Sequence, residues 1–158
     1  MEINIEKLQE MDLDVDVKTP LKLYNPNGMD HKNKHRVKSI EFDDAFTRID
    51  FIYKASTYYI NGGWIQMDRD AYIQPKGSSE KYPLIQAIGI PIAPNKLHFR
   101  KQGQYHTYTL VFPALPPDTK SIDIIEKLAP GTYFNFYDVA YSQWITVPHA
   151  ADVERSNN

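Results

Sequence analysis

The sequence predicts an all-β fold, an antiparallel sandwich of about eight short strands. Three observations predict it. Apolar and polar residues alternate at period 2 in several stretches of five to nine residues. Turn signals separate these stretches every ten residues or so. The composition favours strands: eleven Tyr and seven Phe stand in 158 residues, and eleven Pro outnumber seven Gly. Flat rings pack well on pleated surfaces, and frequent prolines break long helices.

The chain supports these elements in order. Residues 2–11 carry Ile5, Leu8 and Met11 at near-helical spacing, enough for a turn or two of helix. Residues 12–17 alternate Asp with Leu13, Val15 and Val17, the pattern of a strand with one wet face. Residues 24–36 read as a polar loop opened by Asn-Pro-Asn-Gly. A hairpin follows, with strands at 37–42 and 47–55 around Asp43-Asp44-Ala45. In its second strand Ile49, Phe51 and Tyr53 share one face, while Arg48 and Asp50 share the other. Asn61-Gly62-Gly63 marks a turn of positive φ before the strand at Trp64. A second hairpin joins 71–74 to 82–87 across a polar tip at 75–80.

Residues 89–94 contain Pro91 and Pro94, so they run along an edge or over the surface. The stretch 105–112 has bulk on both faces, His106, Tyr108, Leu110 and Phe112 against Tyr105, Thr107, Thr109 and Val111. It therefore reads as a central strand. Strands at 121–126 and 132–139 follow, the latter with Phe134, Phe136 and Asp138 on one face. Residues 140–147 supply one more docking segment. This divides the chain into an N-terminal extension with one strand (1–36), the sandwich (37–147) and a frayed, flexible tail (148–158).

The stretch from about Val37 to Val139 resembles an immunoglobulin-like β-sandwich domain found in uncharacterised proteins of Bacteroidetes. The resemblance rests on Arg48-Ile49-Asp50-Phe51, the Trp64 strand, and the hairpin from Ala71-Tyr72-Ile73 to Lys81-Tyr82-Pro83-Leu84. It continues through Gly89-Ile90-Pro91-Ile92, Thr109-Leu110-Val111-Phe112-Pro113-Ala114-Leu115-Pro116, Ile122-Asp123-Ile124-Ile125-Glu126 and Phe134-Asn135-Phe136-Tyr137. It covers about two-thirds of the chain. It implies an immunoglobulin-like fold and supplies no catalytic residues.

Several chemistries are excluded. The chain has no Cys, so disulfides, thiolate catalysis and Cys-ligated metals are out. Asp12, Asp14 and Asp16 open like a calcium loop, but Val17 and Leu23 replace the glycine and glutamate that such a loop needs. His31 and His35 have helical metal spacing in a segment that is not helical. No metal or other cofactor is expected. The net charge of −2 and the lack of aromatics among Lys32, Lys34, Arg36 and Lys38 argue against nucleic acid. No apolar run of about 18 residues is present to span a membrane. The acidic start is not a secretory signal, so a cytoplasmic location is expected, with export after loss of a leader as the alternative.

Nucleophile elbows and zinc-protease motifs are missing. A hydrolase reading needs His98 and His106 to face each other with Asp123 or Glu126 as orienter. Lone strand histidines are the simpler reading, and Glu126 reads as an acceptor for backbone N–H groups. The expected activity is therefore non-enzymatic: an interaction or structural module that binds a protein partner or itself. The alternative is a small-ligand or glycan-binding domain. The candidate binding residues are Tyr58, Tyr59, Trp64, Tyr105, Tyr133, Tyr137 and Tyr141, because so many Tyr exceed what one core holds. Trp64 reads either as a ligand platform or, as large rings usually do, as a core anchor. A sugar site needs such rings beside amides and acids on one concave face.

Overall fold

A computed structural model describes residues 20–28 and 34–146. The stretch 2–11, the acidic strand at 12–17, His31 and the tail beyond 147 lie outside the described residues. Those described are all-β, with twelve strands and no helix. They are β1 (Leu21–Tyr24), β2 (His35–Phe42), β3 (Phe46–Lys54), β4 (Trp64–Ile65), β5 (Tyr72–Pro75) and β6 (Tyr82–Pro83). After these come β7 (Gln86–Ile88), β8 (Leu97–His98), β9 (Tyr105–Pro113), β10 (Ser121–Ile125), β11 (Asn135–Ala140) and β12 (Ile145–Thr146). No helix among them is long and apolar enough to cross a membrane.

The strands form a six-stranded antiparallel sheet (β12-β1-β2-β3-β9-β7), a four-stranded one (β11-β10-β5-β6) and a two-stranded ladder (β4-β8). The β2–β3 hairpin closes where Asp43 Oδ1 accepts the backbone N–H groups of Ala45 (2.8 Å) and Phe46 (2.6 Å). This is the local turn bond that makes Asp a good hairpin residue. β3 pairs with β9 along its whole length, from Phe46 opposite Pro113 to Lys54 opposite Tyr105. β9 is interior to its sheet, which accounts for the bulk on both its faces. β12 docks on β1, with Tyr24 opposite Ile145.

The inner faces of the two larger sheets share one core. Ile49, Phe51, Leu110 and Phe112 come from one, and Ile73, Ile122 and Ile124 from the other. Phe51 stacks on Tyr108, with ring centroids 4.8 Å apart. On the outer face one carboxylate links four neighbouring strands. Asp50 accepts the hydroxyls of Thr109 (2.6 Å) and Ser39 (2.9 Å) and pairs with Lys22 at 3.3 Å. Burial pushes this carboxyl up, but the two hydroxyls and the ammonium outweigh it and hold it below the usual range.

Three expectations change. The strand read at 82–87 is two strands in different sheets. Leu84 N–H donates to Ala71 O and the next residue, Ile85, donates to Val111 O, so the chain crosses between sheets there. The face assigned to Asp138 breaks, because it adopts a φ of 55° beside a bulge opposite Ile122 and Ile124, and Val139 packs against the core in its place. The polar loop ends sooner than expected, since His35 and Arg36 begin β2.

His35 sits inside an aromatic cage. Its ring meets Phe134 at 4.3 Å, Phe136 at 4.9 Å, Tyr53 at 5.2 Å, Tyr108 at 5.6 Å and Phe51 at 5.8 Å. Its Nε2 hydrogen-bonds the Tyr108 hydroxyl. Burial lowers its pKa from 6.5 to about 3. The folded state thus keeps His35 neutral while the unfolded state takes up a proton. Stability contributed by this group is complete above pH 6.5 and falls as the pH drops toward 3. The loss approaches about 1.4 kcal/mol per pH unit below 6.5. Urea unfolding between pH 6.5 and 4.5 should show this slope, and His35→Gln should flatten it. Equal slopes in the two proteins would contradict the assignment.

Candidate functional site

The site begins with a turn. Ser56 N–H donates to Gly62 O (3.1 Å), Gly62 N–H to Tyr59 O (3.0 Å), and the Gln102 side-chain amide to the same Tyr59 carbonyl (2.8 Å). Ser56 Oγ accepts Tyr58 N–H at 2.9 Å. These bonds fold 56–63 into a compact loop. Gly62, with a φ of +94°, closes it, and a Cβ there would lie 2.8 Å from the Lys101 carbonyl oxygen. The chain then enters β4. Ile65 is buried, so at period 2 its neighbour Trp64 turns away from the core. Trp64 is 45% exposed, and the reading of it as a core anchor does not hold. Its cross-strand partner is His98.

The opposite wall is the loop from Glu126 to Phe134. Glu126 is buried, and its carboxylate accepts the N–H groups of Asp68 (2.9 Å) and Phe134 (2.8 Å). Burial raises its pKa, and these two bonds oppose that rise. Asn135 Oδ1 holds the same loop through the N–H groups of Glu126 (2.8 Å) and Lys127 (3.2 Å). Tyr133 lies against Gly131, the spot where a Cβ would meet its ring at 3.0 Å.

Between the walls is a cleft of about 830 Å³. Tyr59, Ile60, Asn61, Trp64, Gln66, His98, Glu126, Thr132 and Tyr133 line it, together with Tyr53, Phe99 and Phe134. Among the described residues the side-chain carbonyl of Gln66 is buried with no hydrogen-bond partner. An unmade bond of this kind costs about 1–3 kcal/mol, so it marks a position where a donor would be welcome.

Three of the seven candidate binding residues therefore converge: Tyr59, Trp64 and Tyr133. Tyr58 is 86% exposed and stands edge-on to Tyr59 at 5.2 Å, on the same loop. Tyr105 is exposed at the start of β9, where the Lys54 ammonium lies over its ring. Tyr137 borders a separate depression of about 300 Å³ with Asn25 and Trp144. Tyr141 is 4% exposed, donates its hydroxyl to Thr119 O at 2.9 Å and packs on Phe42, so it presents no face to a ligand.

The two acids named as orienters for His98 and His106 are engaged elsewhere. His106 donates Nε2–H to Gly89 O at 2.5 Å and packs on Phe99. Asp123 pairs with Lys76 at 3.1 Å, and Glu126 serves backbone groups. Neither acid hydrogen-bonds either histidine. Among the described residues no group of three or more His, Asp or Glu could hold a metal. Ile60, Asn61, Gln66 and Thr132 were not legible as site residues. The nearest signal was the Asn-Gly-Gly turn set between Tyr58-Tyr59 and Trp64.

The class this defines is an all-β domain with an aromatic cleft at one loop cluster. No protein-family model matches the chain, and neither curated proteins nor solved structures yield a match.

The cleft wall depends on Gly62. Gly62→Ala should lower stability by at least about 2 kcal/mol, from left-handed strain plus the clash with Lys101 O. Gly77→Ala adds strain at a φ of +80° with nothing within 4 Å, and should cost about 1 kcal/mol. Denaturant midpoints of the two variants check the difference.

Proposed function

We propose that this chain is a non-catalytic binding module of immunoglobulin-like sandwich architecture, and that its cleft takes a sugar-like ring. Two antiparallel sheets sharing one core support the architecture. One observation carries the binding reading. Tyr59, Trp64 and Tyr133 line the same cleft as Asn61, Gln66 and Thr132. Aromatic faces pack against the C–H faces of a pyranose, and amides and hydroxyls bond its hydroxyl groups. The non-catalytic reading is supported by the engagement of Asp123 and Glu126 in structural bonds.

A second reading has its own observation. Tyr58 and Ile60 are 86% and 88% exposed at the tip of the loop that forms the cleft wall. Apolar side chains held out in this way suit contact with a protein partner or a second copy of the chain. On that reading Tyr58→Ser with Ile60→Ser abolishes self-association, which sedimentation velocity would detect.

Titration calorimetry with a panel of neutral and acidic oligosaccharides tests the ring-binding reading. At least one should bind, and Trp64→Ala should weaken it about tenfold, or ~1.4 kcal/mol. Tyr105→Ala, outside the cleft lining, should leave it unchanged. Silence across the whole panel would remove the reading.

A further inference from the structure

The charge at the cleft narrows the ligand. Two lysines sit over its aromatic walls. Lys96 Nζ lies 4.2 Å from the Trp64 ring centroid, and Lys127 Nζ lies 5.4 Å from that of Tyr133. Lys96 has no ion pair among the described residues. Lys127 has only a long one, 3.8 Å to Asp68, with its side chain 48% exposed. The two cations belong to opposite walls, one on the turn before β8 and one on the loop after β10. His98, opposite Trp64 in the β4–β8 ladder, lines the cleft as well.

The one carboxylate in the lining does not offset them at the mouth. Glu126 is 6% exposed, and both its oxygens already accept backbone N–H groups. Neither lysine belongs to the lining itself, but each of the two aromatic walls carries one, although the whole chain carries a net charge of −2. Positive groups over aromatic faces are also held loosely, since a cation–π contact at an exposed site is weak and a better anion replaces it readily.

We propose that the ligand is an acidic saccharide, a pyranose whose ring packs on the Trp64 and Tyr133 walls and whose carboxylate pairs with Lys96 and Lys127. The assignment rests on the ring-binding reading and adds the charge. Complementary charge at the mouth speeds encounter and discriminates against neutral sugars of the same shape.

The test compares each acid with its own neutral ester. Trigalacturonate and a hyaluronan tetrasaccharide are titrated into the full chain beside their methyl esters, which keep the rings and remove the charge. At least one acid should bind about tenfold more tightly than its ester, and added salt should narrow that gap. Lys96→Gln with Lys127→Gln should erase the gap while leaving the ester's affinity unchanged. Both lysines are exposed, so the double variant should keep the wild-type melting temperature, which a thermal scan confirms before titration. An ester that binds as tightly as its acid overturns the charge assignment and leaves ring binding standing. Acids that do not bind at all overturn it too, and the neutral sugars then decide ring binding separately. A Lys96→Gln, Lys127→Gln variant that still tells acid from ester would place the charge recognition elsewhere and refute the site.

Discussion

The structure depends on an aromatic cluster closed around one neutral histidine. Phe51 and Tyr108 stack across the β3–β9 ladder, and His35 from β2 lies beside them. Phe134 and Phe136 reach the same ring from the other side of the core. This cluster therefore ties the six-stranded sheet to the segment that carries β11. It works only while His35 is uncharged, because a buried imidazolium among rings would have no counter-ion to repay its lost hydration. Burial also pushes the Tyr108 hydroxyl well above its ordinary pKa, so it stays a neutral partner for His35.

The cleft is an extension of that cluster toward solvent. Tyr53 stacks on Phe99 and touches Phe134, and all three rings lie in the cleft lining. The inner end of the site is thus core material, held by the same packing that joins the sheets. Its walls are two loops and the short β4–β8 ladder. On one side Gly62 permits the loop to turn against Lys101. On the other, Glu126 uses its carboxylate to hold Asp68 and Phe134 in place. Aromatic side chains on such rigid supports lose little freedom when a ligand stacks on them.

Much of the sheet structure was legible because it is local. The alternation at 47–53 states which face of β3 is buried, and the Asp43 turn states where its partner lies. The bulk on both faces of 105–112 states that β9 is interior. The errors fell where a long-range bond overrides a local pattern. The alternation at 82–87 gives no hint that Leu84 bonds one sheet and Ile85 the other. His35 and Arg36 looked like loop residues, since nothing in a charged run reveals that an aromatic cage or the Gly28 carbonyl will receive them.

The sequence by itself determined the class of fold, the hairpins and the excess of tyrosines over what one core could use. These follow from periodicity and composition, which act over a few residues. Only the tertiary structure decided which rings serve the core and which meet solvent. Tyr141, a candidate binding residue, is buried under Phe42, and Trp64, read both as a ligand platform and as a core anchor, is turned out by the burial of Ile65. Tyr59, Trp64 and Tyr133 come together only because a glycine turn and a buried carboxylate bring two distant loops to the same end of the domain. Convergence of this kind depends on contacts between residues some seventy positions apart, and no local pattern encodes them.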